Sequence, residues 1–325
     1  MDYVVTILKY LEIEKNIELL NETGETLFNL LHKVCDTKSM IINSYGYKEQ
    51  FGGIHVKNFS NNVADIFPYK HVPTNERYNI TEGFNTKNKY FSNALWFIRD
   101  NSVSPLNTTI SSKEEIMPYI IYANEYYTCS DGDLKRVLFT EEELKESTYW
   151  LQRLKEHSIK KSEMEEIMPD KAINRALIPY DDTTSFSRAF LYLDIARRET
   201  FLPAKIAGYI TILEIICAVK GENTYKVSER VAALLGVNSE DKLNIFLRVK
   251  KAYDFRSKYV HGSHIKFTDV SKVIEVSTDL DEIVRKVLKK VIKDCSHLNY
   301  YNKPKGNQLN FDRVDNEFVR IVLSS

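Results

Sequence analysis

Residues 240–262 read EDKLNIFLRVKKAYDFRSKYVHG, a run of helix formers that stops at Gly262, a residue suited to a left-handed C-cap. Phe246, Val249, Tyr253 and Val260 mark one apolar face of this helix. At about 100° per residue Arg256 falls in the same stripe, so an arginine occupies a slot that points toward the core. A guanidinium keeps its proton at any working pH. It must therefore find a carboxylate, a cluster of carbonyls, a subunit interface or a bound anion. Five residues on stands His261, where the chain leaves helical geometry, and a neutral imidazole there is matched to proton transfer near pH 7.

The stretch before it supplies a partner. Ile206, Tyr209, Ile210, Leu213, Ile216 and Cys217 leave their helix almost no polar face, which places it in the middle of a bundle. Glu214 is the lone carboxylate on that helix and needs a cation, for which Arg256 is the candidate. Spacing alone leaves two readings open: a reactive arginine and histidine, or a structural ion pair with His261 capping the helix end.

Further helices surround these two. Thr140 with Glu143 has capping-box spacing, and the pattern continues through Trp150, Leu151 and Leu154 toward Pro169. A helix after Thr183 and Thr184 carries Phe186, Phe190, Leu193 and Arg197 on one side until Pro203. A short helix with Val227, Val231 and Leu234 ends at Gly236, and Asn238 or Ser239 caps the next. The last long helix starts near Thr268 and repeats Val270, Val273, Ile274, Leu280, Ile283, Val287 and Val291, with lysines opposite. Residues 1–135 instead show short strand-like segments, turns at Asn21–Gly24, Gly52–Gly53, Pro73–Asn75 and Asp131–Asp133, and many aromatics. The expected class is α+β: a mixed α/β domain over 1–139, a helical connector over 140–171, a helical bundle over 172–300 and a tail over 301–325.

Of 325 residues, 43% are hydrophobic and 28% charged, a globular composition. Forty-five basic residues balance forty-five acidic ones, so any contact with nucleic acid must be local. No apolar run reaches the roughly 18 residues of a membrane span, and Ala207–Val219 is interrupted by Glu214. The first residues lack the pattern of a signal peptide, so a cytoplasmic protein is expected. Cys35, Cys129, Cys217 and Cys295 are scattered. His32 with Cys35 and Cys295 with His297 form only two-ligand fragments, so neither a metal nor another cofactor is expected.

The segment DFRSKYVHG (254–262) resembles the signature of the HEPN superfamily, an R-x4-6-H motif closing the third major helix of a small bundle. YITILEIICAVKG (209–221) and YKVSERVAALLG (225–236) resemble the preceding helices of its ApeA-like branch, found in bacterial anti-phage and abortive-infection systems. The resemblance spans 172–298, about the C-terminal two fifths of the chain. It implies a metal-independent endoribonuclease in which two bundles pair as a homodimer and place two motifs around one cleft. Arg256 would hold the scissile phosphate and His261 would act as general base or acid, with Glu214 orienting Arg256. Ser257 stands where active members carry Asn, Asp or His, and it can still donate a hydrogen bond. Ser263 replaces the modified tyrosine of the toxin branch, so that mode of regulation is not expected.

Lys250, Lys251, Lys258 and His264 are the expected RNA contacts, with Arg248, Arg197, Arg198 and Arg230 as further cations for a local patch. The expected partners are RNA, a second copy of the chain and a phage-derived trigger, with no membrane. The alternative is an inactive HEPN-like module that binds a nucleotide or RNA, or that dimerises.

Overall fold

The computed structural model describes residues 2–33, 35–44, 47–112, 119–123, 126–157, 183–217, 223–260, 270–301 and 310–324. The chain forms an α+β protein whose N-terminal part holds the sheet and whose C-terminal part is helical. It divides into two compact units, residues 1–129 with 133–152, and residues 130–132 with 153–325. The division falls at Gln152/Arg153, inside a helix and within the connector that the sequence reading places over 140–171.

In the first unit the described elements are β1 (Asp2–Lys9), β2 (Leu11–Ile13), β3 (Ile17–Leu20), β4 (Thr26–Leu31), α1 (Asp36–Ser44), α2 (Tyr47–Asn61), β5 (Val63–Tyr69), α3 (Arg77–Ile98), β6 (Ser104–Ser111), β7 (Tyr119–Tyr122) and β8 (Val137–Phe139). Six strands make one antiparallel sheet in the order β3-β4-β5-β1-β6-β7, and β2 pairs in parallel with β8. In β1, Val5 and Ile7 join Tyr47 and Phe59 of α2, while Val4 packs with Val72 and Ile110 on the opposite face. A central strand covered on both faces reads as a continuous apolar run, and YVVTIL does so.

On α2 the Tyr47 hydroxyl meets His55 Nε2 at 2.7 Å, and the Asn107 amide lies 3.2 Å from His55 Nδ1. Burial pushes this imidazole down to about 4, so it is neutral at pH 7. Gly52 lies inside α2 with φ 77° and kinks it, where the sequence reading placed a turn.

Helix α4 (Glu141–His157) opens with the expected capping box. The Thr140 N–H donates to the Glu143 carboxylate at 2.9 Å and the Glu143 N–H returns to Thr140 Oγ1 at 3.3 Å.

The second unit contains α5 (Ser185–Arg198), α6 (Leu202–Cys217), α7 (Asn223–Leu235), α8 (Ser239–Val260), α9 (Val270–Asp294) and α10 (Phe311–Ser324). Helix α6 packs against α5, α7, α8 and α9. Its Ile206, Tyr209, Ile210 and Leu213 are fully buried, and burial of each side chain contributes about 1.5–3 kcal/mol. Thr184 caps α5 by accepting the Ser187 N–H, and Asn238 caps α8 by accepting the Asp241 N–H. A Cβ on Gly208 would lie 2.9 Å from that of Ala196, so the glycine permits the close approach of α5 and α6.

The tail expected over 301–325 includes a helix, α10, which buries Val314 and Phe318 and packs on α7. Two members of the expected α9 stripe, Val270 and Ile274, are exposed, while Val273 and Val276 of the same turns are buried, so the core face there runs through 273, 276 and 277. Val260 at the end of α8 is likewise exposed at 60%, while Ile245, Ala252 and Phe255 complete the buried face in its place.

Candidate functional site

Helices α6 and α8 bring Glu214 and Arg256 together as the sequence reading expects. Arg256 Nη1 lies 3.5 Å from Glu214 Oε1. The same oxygen accepts the Tyr253 hydroxyl at 3.1 Å and the Asn223 amide at 3.2 Å. Tyr253 lies three residues before Arg256, so one helix face presents both, and the Arg256 guanidinium carbon sits 5.9 Å from the Tyr253 ring centre. Asn223 arrives from the first turn of α7.

The electrostatics follow from burial. The Glu214 side chain keeps 16% of its surface exposed and Arg256 keeps 34%. Tyr253 is held un-ionised far above the ordinary phenol range, first by burial and then by the Glu214 carboxylate beside it. It therefore acts only as a donor to Glu214. Complete burial pushes the Cys217 thiol up to about 12, which leaves it inert as a nucleophile at neutral pH. The cluster thus consists of one carboxylate, two neutral donors and one guanidinium that is accessible to an incoming anion.

His261 and His264 lie outside the described residues. Ser257 is exposed on the last turns of α8. Lys250, Lys251 and Lys258 are not gathered around Arg256: at about 100° per residue they stand roughly 120–160° around the helix from it. Lys250 and Lys258 are exposed, and Lys251 pairs with Glu275 at 2.9 Å.

The wider patch is corrected in several places. Arg197 is fully buried. Arg230 is 5% exposed, donating to the Cys217 carbonyl at 2.7 Å and pairing with Asp315 at 2.5 Å. Arg198 pairs with Asp194 one turn back on α5, and Arg248 bridges Asp279 and Glu282 of α9. Arg197 and Arg230 are thus buried in the bundle, whereas Arg198 and Arg248 remain partly exposed in ion pairs.

Tyr253 and Asn223 are the members of the cluster that sequence reasoning missed. Tyr253 counted as an apolar face residue, although its position three residues before Arg256 was a usable signal; Asn223 had none. Below the cluster, Asp281 of α9 is 1% exposed, accepts the Tyr209 hydroxyl at 2.7 Å and pairs with Arg285. Among the described residues no three His, Cys, Asp or Glu side chains converge as metal ligands, and no helix is long and apolar enough to cross a membrane. Comparison with protein-family models, with curated proteins and with solved structures gives no match to this chain.

Proposed function

We propose that the helical bundle is a metal-independent endoribonuclease of the HEPN type, acting as a cytoplasmic homodimer in defence against phage. The observation that carries this reading is Arg256 itself. It is held on one side by a 3.5 Å contact to Glu214 and by the Tyr253 ring, and keeps a third of its side chain in solvent, where a phosphate can reach it. In the proposed reaction His261 takes the proton of the ribose 2′-hydroxyl, whose oxygen attacks the adjacent phosphorus. Arg256 stabilises the negative charge that develops on the phosphoryl oxygens. The P–O5′ bond breaks, the leaving oxygen gains a proton, and the products are a 2′,3′-cyclic phosphate and a 5′-hydroxyl. DNA, lacking the 2′-hydroxyl, is spared. Exposed Phe201 and Tyr259, whose rings meet at 5.7 Å, and Val260 beside them give the Arg256 end of α8 an apolar edge that supports pairing with a second bundle.

Purified protein is expected to cleave structured RNA in EDTA, and Arg256→Ala and His261→Ala are each expected to abolish cleavage while leaving the dimer intact. Cleavage that survives in both variants, or that chelation removes, would overturn the reading.

A second reading, a non-catalytic binding module, is favoured by the way Tyr253 and Asn223 join Arg256 on Glu214 Oε1, an arrangement that fixes the arginine with no reaction in view. It predicts ligand-induced thermal stabilisation that requires Arg256 but not His261.

A further inference from the structure

The N-terminal half of α8, the end of α7 and the C-terminal half of α9 enclose an open groove of about 450 Å³, the size of a small-molecule site. Its apolar lining is Leu235, Ile245 and Ile283, of which Ile245 and Ile283 are buried, with exposed Val237 at the edge. Its rim carries Lys286, Lys289, Lys290 and Lys293 of α9, joined by Arg248 of α8. The four lysines recur at i, i+3, i+4 and i+7, so they share an arc of about 100° and span roughly 10 Å along the helix. Asp241 and Asp294 are the carboxylates in the lining, and Asp279 and Glu282 stand beside it as ion-pair partners, so the five cations exceed these four carboxylates by one.

Ion pairs of these cations include Lys286 with Glu282 at 2.7 Å, Lys290 with Asp294 at 2.9 Å, and Arg248 with Asp279 at 2.9 Å and Glu282 at 3.2 Å, all of the weak, partly exposed kind. Each can be exchanged for a phosphate oxygen, which makes stronger charge-assisted hydrogen bonds with several donors at once. One feature favours a compact anion over a polynucleotide: among the described residues the lining includes no aromatic side chain to stack successive bases. Val237, 88% exposed at the edge of the groove, offers apolar surface to the uncharged body of such a ligand.

We propose that this groove binds a small molecule bearing an oligophosphate group, its phosphates on Lys286, Lys289, Lys290, Lys293 and Arg248 and its apolar body on Val237, Ile245 and Ile283. The site is separate from Arg256, which lies about 12 Å farther along α8 and faces Glu214, so it stands or falls independently of the nuclease reading.

Isothermal titration of the full chain with inorganic tripolyphosphate, adenosine triphosphate and a short single-stranded RNA tests this. Saturable binding of a triphosphate, one per chain, is expected. It should weaken at least about tenfold in a Lys289→Ala, Lys293→Ala double variant and stay unchanged in Lys57→Ala, which removes an exposed lysine of α2. Tighter binding of the nucleotide than of tripolyphosphate would seat the base on the apolar lining, and equal binding would assign the site to the phosphates alone. Absence of saturable triphosphate binding, binding indifferent to the Lys289 and Lys293 substitutions, binding lost in Lys57→Ala, or saturable binding of the RNA alone would each overturn the proposal.

Discussion

Removing the Tyr253 hydroxyl tests whether Glu214 is held as described. The hydroxyl donates to Glu214 Oε1 over 3.1 Å from a buried ring. A hydrogen bond to a charged acceptor contributes about 1.5–3 kcal/mol. Here the oxygen is shared with Asn223 and Arg256, so Tyr253→Phe should cost the low end, about 1.5 kcal/mol, roughly a tenfold change in the opening equilibrium. Native-state hydrogen exchange of the α8 amides reads this loss from the helical unit itself. Glu214→Ala removes the acceptor of the Tyr253 hydroxyl altogether, so the two substitutions delete one shared interaction. The double variant should then be less destabilised than the sum of the singles, by about 0.5–1.5 kcal/mol. Additivity within about 0.3 kcal/mol would show that the two groups do not meet and would refute the geometry assigned to the cluster.

Gly208→Val, which places a branched side chain where even a Cβ comes within 2.9 Å of Ala196, should destabilise the bundle by about 1–3 kcal/mol, measured by the same exchange experiment. Asp281→Ala should cost about 3–5 kcal/mol, because it strips the mostly buried Arg285 of its carboxylate and the Tyr209 hydroxyl of its acceptor; Asp281→Asn should cost less. His55 gives the first unit a pH dependence. Its folded value near 4 lies below the ordinary 6.5, so the unfolded state binds the proton first. The stabilisation it provides is complete above about pH 6.5 and is lost as the pH falls toward 4. Both tryptophans, Trp96 and Trp150, belong to that unit, so the urea midpoint followed by tryptophan fluorescence should drop across this window in the wild type and drop less in His55→Gln.

The features legible in the sequence were those set by local chemistry or by strong periodicity. The Thr140–Glu143 box, the Thr184 and Asn238 caps and the apolar girth of α6 follow from a few neighbouring residues each. Helix α3 was missed because RYNITEGFNTKNKYFSNALWFI is rich in Asn, aromatic and β-branched residues of low helix propensity. Tertiary burial of Phe91, Leu95 and Trp96 holds it helical. The burial of Arg197 and Arg230 was legible and was overlooked. Arg197 continues the stripe of Phe186, Phe190 and Leu193, and Arg230 stands three residues after Val227, so charge drew attention where spacing should have. The meeting of Glu214 with Arg256 was inferred from two orphaned charges on apolar faces. The lysine groove could not be inferred in that way, since it exists only once α8 and α9 lie side by side.

The central claim is that Arg256 and His261 break RNA through the 2′-hydroxyl. Its most direct test is to map the ends of cellular RNA after induction of the wild type beside His261→Ala. New ends carrying a 2′,3′-cyclic phosphate and a 5′-hydroxyl in the wild type alone are the predicted result. Identical RNA ends in both strains, or new ends bearing a 5′-phosphate, would contradict it.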